Sequence, residues 1–161
     1  MKEAVIRKAH MDDMDALSRL YKEFHDFHVR SFPDRLVRSD SSFGVEQHEE
    51  IKKIIENDDA VILVAEVDNQ LVGLGEAYMR EDKRSPLSIP HKYGYLQSLS
   101  VTEAFRGRDI GTRLLEAIEQ WSKKRGATEI RLDVWEFKEG PARFYGKYGY
   151  RTLRRTMVRK L

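Results

Sequence analysis

The segment from Ala60 to Val67 constrains this chain most: it is a β-branched apolar run interrupted only by Glu66, too short for a buried helix and bounded by turn residues. Asp68-Asn69 is a two-residue turn pair, after which Gln70 to Met79 resumes apolar character, so the spacing predicts a β-hairpin at the centre of a sheet. Such a hairpin must be covered by other parts of the chain. Suitable cover is visible on both sides of it in the sequence.

Upstream, Ala4 to Ala9 reads as a short strand, and Asp12 or Asp13 offers a cap for a helix whose Met14, Leu17, Leu20, Tyr21, Phe24 and Phe27 recur at steps of three and four. Ser31-Phe32-Pro33 ends that helix, because Pro33 disfavours helical backbone at Phe32. A second amphipathic helix spans Val45 to Glu56, with Val45, His48, Ile51 and Ile55 on one side. Downstream, Glu81 to Lys92 reads as a mobile loop and Tyr93 to Val101 as a strand. A helix opening at Arg106 to Gly111 carries Ile110, Leu114, Ile118 and Trp121 and closes at Gly126. Thr128 to Val134 alternates as a strand, Pro141 to Lys147 reads as a helix ended by Gly149, and Arg151 to Leu161 as a final strand. The order βααβββαβαβ, without repeats or a long linker, implies one α/β or α+β layered domain over residues 1–161.

Charge narrows the partners. The 29 Lys and Arg nearly balance the 27 Asp and Glu, a net +2, so no general footprint for nucleic acid or anionic membrane is expected; the arginines at 151, 154, 155 and 159 read as a solvated sheet face. The absence of cysteine excludes a disulfide framework, a thiolate nucleophile and thiolate-ligated metal. Arg7 and Lys8 interrupt any signal-peptide core, which gives the expectation of a soluble, cytoplasmic protein.

The chemistry is concentrated in Arg106-Gly107-Arg108-Asp109-Ile110-Gly111. A glycine turn at a helix N-terminus frees backbone amides for a diphosphate, and Arg106, Arg108 and Arg113 add charge, although the same pattern alone also suits a tight turn beside a basic helix face. Neither the dinucleotide fingerprint nor the ending of a phosphate-binding NTPase loop is present. Ser98 and Ser100 lack the elbow of a serine hydrolase. His25 and His28 lie three apart on a helix with no third ligand following, so no metal site is expected.

Leu99-Ser100-Val101 followed by Arg106 to Gly111, then Leu132-Asp133-Val134, Pro141-Ala142-Arg143-Phe144-Tyr145 and Tyr148-Gly149-Tyr150, resembles the GNAT superfamily of acyl-CoA-dependent N-acetyltransferases over nearly the whole chain. The resemblance implies a mixed, mostly antiparallel central sheet flanked by helices on both faces, and acetyl-CoA as acyl donor without a metal. It implies that the Leu99 amide polarises the thioester carbonyl, that Val101 pairs with the pantetheine arm, and that Tyr145 protonates the departing sulfur. The cofactor surface it implies comprises Leu99, Ser100, Val101, Arg106, Gly107, Arg108, Asp109, Ile110, Gly111, Thr112, Lys138, Phe144 and Tyr145. Asp109 stands in place of the motif's first glycine and must turn left-handed. Lys138 replaces the usual Asn, and the glutamate that serves as base in one branch of the family falls at Tyr95.

Read from the residues alone, Tyr145 is better taken as a core aromatic beside Phe144, and only the resemblance makes it the acid. Aminolysis of a thioester requires an amine that has lost a proton, so a base or water relay is expected; Glu76, Asp133 and Glu136 are the candidates, with Asp133 acting through water preferred. The acceptor is expected to be a primary amine, on a small molecule, a protein N-terminus or a lysine, with a homodimer left open. The Phe24-His25-Asp26-Phe27-His28 stretch and the Glu81 to Lys92 loop are expected to shape its pocket, with Asp26 placed to hold a cationic amine; the pattern equally suits aromatics that only close the core over the sheet, with His25 and Asp26 solvated. The competing reading is an acyl-CoA sensor or interaction module without turnover.

Overall fold

A computed structural model describes residues 3–40, 43–138 and 140–161. Strands β1 (Val5–Lys8), β2 (Ala60–Val67), β3 (Gln70–Glu81), β4 (Lys92–Val101) and β5 (Glu129–Leu132) form one sheet in the order β1-β2-β3-β4-β5. The first three pairings are antiparallel and β4 with β5 is parallel. Helices α1 (Met14–Ser31), α2 (Phe43–Ile55), α3 (Ile110–Lys124) and α4 (Ala142–Lys147) complete the fold. The mixed, mostly antiparallel sheet with helices on both faces is the architecture the sequence led us to expect.

The central hairpin forms as its residues dictate. Asp68 and Asn69 both take positive φ, 49° and 62°, the tight turn whose twist suits a two-residue hairpin. Successive β2 side chains point to opposite faces, and both faces are covered. Val61, Leu63, Ala65 and Val67 join Leu114, Leu115, Ile118 and Trp121 of α3, whereas Ile62 and Val64 join Leu17 and Leu20 of α1 and Ile51 of α2. Truncating a fully enclosed member such as Leu114 to Ala would cost about 2–5 kcal/mol. Gly94 lets α3 lie close on β4, since a Cβ there would sit 2.7 Å from Ile130 Cδ1 and collide with Ser122.

Asp13 stands at the N-cap of α1 as expected, but its side chain makes no cap bond and receives two hydrogen bonds from Arg7 at 2.7 and 2.9 Å and one from the His10 amide at 2.9 Å. The Arg7 guanidinium holds this carboxyl at about 2. Loop 82–91 is anchored at its base, where Arg131 donates to both Asp82 oxygens at 2.7 and 2.8 Å.

One element is corrected. Residues 151–161, expected as a final strand, form none, and every residue from 151 onward is exposed. Alternating arginines and apolar residues supply strand propensity, but a strand exists only where a neighbour provides the other half of its ladder. Among the described residues the outer edge of β5 is likewise unpaired.

Candidate active site

The site begins where two parallel strands part. Pairing of β4 with β5 runs from Tyr93↔Glu129 to Leu96↔Leu132 and stops, while β4 continues to Val101. At the same point the β3–β4 register shifts: Ala77 opposes Leu96 and Glu76 opposes Ser98, leaving Gln97 as an extra residue. Such a bulge bends and twists the strand locally. The edge of β4 from Gln97 to Val101 is therefore turned away from β5 and available to an extended ligand.

A cavity of ≈ 570 Å³ occupies this opening. One half is built from backbone. Leu99, Ser100 and Val101 border it, followed by Arg106, Gly107, Asp109, Ile110, Gly111 and Thr112. Gly107 (φ 72°) and Asp109 (φ 58°) are both left-handed, so Asp109 makes the turn that a glycine would otherwise make. The first backbone bond of α3 runs from the Arg113 amide to the Asp109 carbonyl at 3.0 Å. The preceding amides of the first turn thus lie at the positive end of the helix without intrahelical acceptors. Arg106 Nε donates to the Val101 carbonyl at 3.0 Å, and its guanidinium lies 5.7 Å from the Phe27 ring centre. A Cβ at Gly111 would meet only ordinary contacts, 3.8 Å from Phe144 and Val101, so protein packing alone does not demand glycine there.

Helix α4 closes this half. Phe144 and Tyr145 line the cavity, with ring centres 5.2 Å apart, and the Thr112 and Tyr148 hydroxyls share a 2.5 Å hydrogen bond that ties α4 to the start of α3. Tyr145 is 9% exposed, and burial pushes its phenol up to about 12. It therefore keeps its proton at neutral pH.

The other half is built from side chains. Phe24, Phe27 and His28 of α1 face Asp133, Val134 and Trp135 beyond β5. Aromatic contacts link the two walls: Phe27 to Phe137 at 6.0 Å and Phe32 to Trp135 at 4.7 Å between ring centres. The His28 Nδ1–H donates to the Phe24 carbonyl at 2.9 Å. Tyr95 donates to Asp133 Oδ2 at 2.8 Å, with the Arg80 guanidinium 3.8 Å from the Tyr95 ring centre. Burial and the bond to Asp133 raise the Tyr95 phenol.

Among the expected site residues, the cavity brings together Leu99, Ser100, Val101, Arg106, Gly107, Asp109, Ile110, Gly111, Thr112, Asp133, Phe144 and Tyr145. Arg108 packs over Phe105 at 5.1 Å, and Lys138 is exposed outside the cavity wall. Of the carboxylates, Glu76 lies elsewhere. It is 5% exposed beneath α1 and accepts from Tyr21 at 2.7 Å and Tyr78 at 2.6 Å. Glu136 is exposed and does not line the cavity.

Asp26 and His25 also fall away from it. Asp26 accepts from Lys22 at 2.6 Å and Ser39 at 2.9 Å, and the Lys22 ammonium lowers its carboxyl; His25 Nε2–H donates to the Val37 carbonyl at 2.7 Å. Helical geometry accounts for this: 24, 27 and 28 share a face, and 25 and 26 do not. Nor does loop 82–91 border the cavity. Sequence reasoning missed Gln97, Glu23, Phe105 and Trp135. Gln97 alone carried a signal, a polar residue in an otherwise apolar strand stretch.

These features define an acyl-transferase fold of a recognisable kind, a sheet opened between β4 and β5 above an amide-lined helix start. The model of the acetyltransferase (GNAT) family matches residues 17–150, and the chain belongs to that family. It is 27% identical to the uncharacterized N-acetyltransferase YhfO of Bacillus subtilis (strain 168) over 145 residues, 90% of this chain and 88% of that protein. Identity to the probable N-acetyltransferase camello of Xenopus tropicalis is 26% over 84% of this chain, and the match spans about half of that relative, 53% of its length. For the uncharacterized N-acetyltransferase YobR of B. subtilis (strain 168) it spans 26%, about a quarter of the relative. Among solved structures, a mutant of the BH1408 protein from Bacillus halodurans superposes with a TM-score of 0.88 at 25% identity, covering 98% of this chain and 99% of that one. The aminoglycoside N-acetyltransferase AAC(6')-Iy in complex with CoA shares the fold, with a TM-score of 0.71 at 17% identity over 98% of both chains. Among the described residues no helix is long and apolar enough to cross a membrane.

Proposed function

We propose that the chain, acting as one N-acetyltransferase domain, transfers an acetyl group from acetyl-CoA to a primary amine. The observation that carries this reading is the meeting, in one cavity, of an unpaired strand edge, a helix start rich in free amides and a buried, protonated tyrosine. The three suit the three parts of an acyl thioester. Amides 107–112 and Arg106 offer donors to a diphosphate. The β4 edge from Leu99 to Val101 offers strand-like pairing to a pantetheine arm, with the Leu99 N–H directed at the carbonyl. The space above Gly111 is left by the protein, and a side chain there would fill it. AAC(6')-Iy, of the same fold, has been crystallised with CoA.

In the reaction the amine nitrogen bonds to the thioester carbon, the carbon–sulfur bond breaks, the nitrogen gives up a proton and the sulfur gains one. Tyr145 holds a proton for sulfur. Asp133, hydrogen-bonded to Tyr95 and open to solvent, takes the amine's proton through water. The aromatic walls from α1 and Trp135 favour an acceptor whose amine is carried on an apolar or aromatic body. Relatives named for different acceptors, such as the N-alpha-acetyltransferase 30 of Schizosaccharomyces pombe, 35% identical over 57 residues that make up 35% of this chain and 38% of that protein, leave both small amines and peptide N-termini as acceptors to test.

Release of free thiol from acetyl-CoA over an amine panel tests the proposal, together with calorimetric binding of CoA to wild type and to Gly111→Val. Binding and turnover by wild type are expected, with binding lost in the folded variant. CoA binding without thiol release for any amine would favour an acyl-CoA sensor instead. Unchanged affinity in Gly111→Val would displace the diphosphate from this loop.

A further inference from the structure

Asp133 is the first residue beyond β5, exposed and on backbone without helix or strand, so secondary structure does not fix its carboxyl. A side chain from the neighbouring strand holds it instead. In the register, Tyr95 of β4 lies between Tyr78 of β3 and Arg131 of β5, and its hydroxyl donates to Asp133 Oδ2, two residues beyond Arg131, at 2.8 Å. Arg131 does not compete for that carboxylate. Its guanidinium is committed to Asp82 at 2.7 Å and Glu129 at 3.3 Å, and it covers the Tyr93 ring at 3.9 Å.

Tyr95 is held in its turn. Arg80, diagonal to it on β3, places its guanidinium 3.8 Å from the Tyr95 ring centre and 5.6 Å from that of Tyr78. The far end of the array is fixed as well, since Tyr78 donates to the buried Glu76 at 2.6 Å. A cation over an aromatic ring draws electron density from it and makes a phenol the stronger donor. Arg80 is exposed and Tyr95 half-buried, and charged contacts in such surroundings contribute little to the stability of a fold. What the array does fix is the geometry of one carboxylate at the cavity wall.

We infer that Arg80 and Tyr95 are positioning residues for the transfer: Arg80 fixes the Tyr95 ring, and Tyr95 binds one oxygen of Asp133 so that the other is left to the water that takes the amine's proton. The inference rests on the proposed role of Asp133 as base. A carboxylate that turns among rotamers is aligned for only part of the time, whereas one held by a second bond is aligned when the amine arrives. Neither Arg80 nor Tyr95 borders the cavity, so both act through Asp133.

The test combines thiol release from acetyl-CoA, with the amine that wild type turns over fastest, and NMR three-bond couplings that report the Asp133 side-chain rotamer without any turnover. Tyr95→Phe keeps the ring and removes the hydroxyl. It is expected to lower kcat by about tenfold, the smaller end of what losing one hydrogen bond to a charged group costs, with acceptor KM, CoA affinity and circular dichroism unchanged. In an Asp133→Asn background the same change should cost nothing further. Arg80→Met should lower kcat by about threefold, a factor that a cation–π contact at an exposed site supports, and Arg80→Lys should recover part of it. The couplings should show one Asp133 rotamer in wild type and averaging in Tyr95→Phe. Full rate in Tyr95→Phe, or an equal loss in both Asp133 backgrounds, would overturn the inference and leave Asp133 as base. Full rate in Asp133→Asn, with the couplings as expected, would instead overturn the role of Asp133 as base, and the inference with it.

Discussion

Glu76 and Asp133 are both carboxylates carried by or next to strands, and each accepts a tyrosine hydroxyl at under 3 Å, yet they sit in opposite regions of the molecule. Glu76 lies on the covered face beneath α1, clasped by two tyrosines, of which Tyr21 has its phenol raised well above the ordinary value by burial and then by the neighbouring carboxylate. Asp133 stands where β4 and β5 have parted, open to solvent and to the cavity. The first arrangement satisfies a buried polar side chain with two hydrogen bonds; the second leaves lone pairs for something else. Similar pairings therefore have different consequences, and access to the cavity rather than hydrogen-bond length separates them.

If chemistry belongs to the opening and not to the covered face, substitutions should separate into losses of rate and losses of stability. The largest effect is expected from Tyr145→Phe, which keeps the ring and removes the proton. Turnover should fall by about 10² to 10⁴ with CoA affinity nearly constant, as stopped-flow thiol release and calorimetry would read. Wild-type turnover with chemistry shown to be rate-limiting would remove Tyr145 from the mechanism.

Asp133→Asn comes next, with a fall of about 10² in turnover and stability within about 0.5 kcal/mol of wild type by urea denaturation. An Asp133→Asn protein that lost stability but kept its rate would reverse the comparison. Glu76→Gln is expected to show that opposite pattern: an amide replaces one of the two oxygens that accept from Tyr21 and Tyr78, so unfolding free energy drops by about 1–3 kcal/mol while kcat of the folded protein is retained. A rate loss larger than that of Asp133→Asn would move the base to β3. The smallest effect is expected for Asp26→Asn and His25→Gln, whose side chains bond to Lys22, Ser39 and Val37 away from the cavity. Acceptor KM should stay at the wild-type value in both, and a rise would show that α1 presents a different face to the amine.

The elements were legible where local chemistry decides them. The Ala60 to Val67 run, the Asp68-Asn69 turn and the Ile110, Leu114, Ile118 and Trp121 stripe formed where their periodicity put them. Helix α1 starts at Met14 and ends at Ser31, before Pro33. The α1 wall of the cavity was legible only in part: the stripe named Phe24 and Phe27, but whether His25 and Asp26 shared their surroundings depended on the phase of the helix against the sheet. Residues 151–161 mark the boundary of such reasoning, since their pattern is a strand's and their pairing is absent.

What the sequence determined by itself was the elements from β1 to α4 and the glycine turn before α3, because hydrophobic period, turn residues and a glycine at a helix start act over a few neighbouring residues. What tertiary structure alone decided was which carboxylate meets the cavity, that Gln97 is the extra residue at the parting of β4 and β5, and that Trp135 joins Phe27 and His28 in one wall. Each of these joins residues far apart in the chain. Their meeting is set by strand register and by helix packing on the sheet, and a one-residue change in either would turn the same side chains to the opposite face.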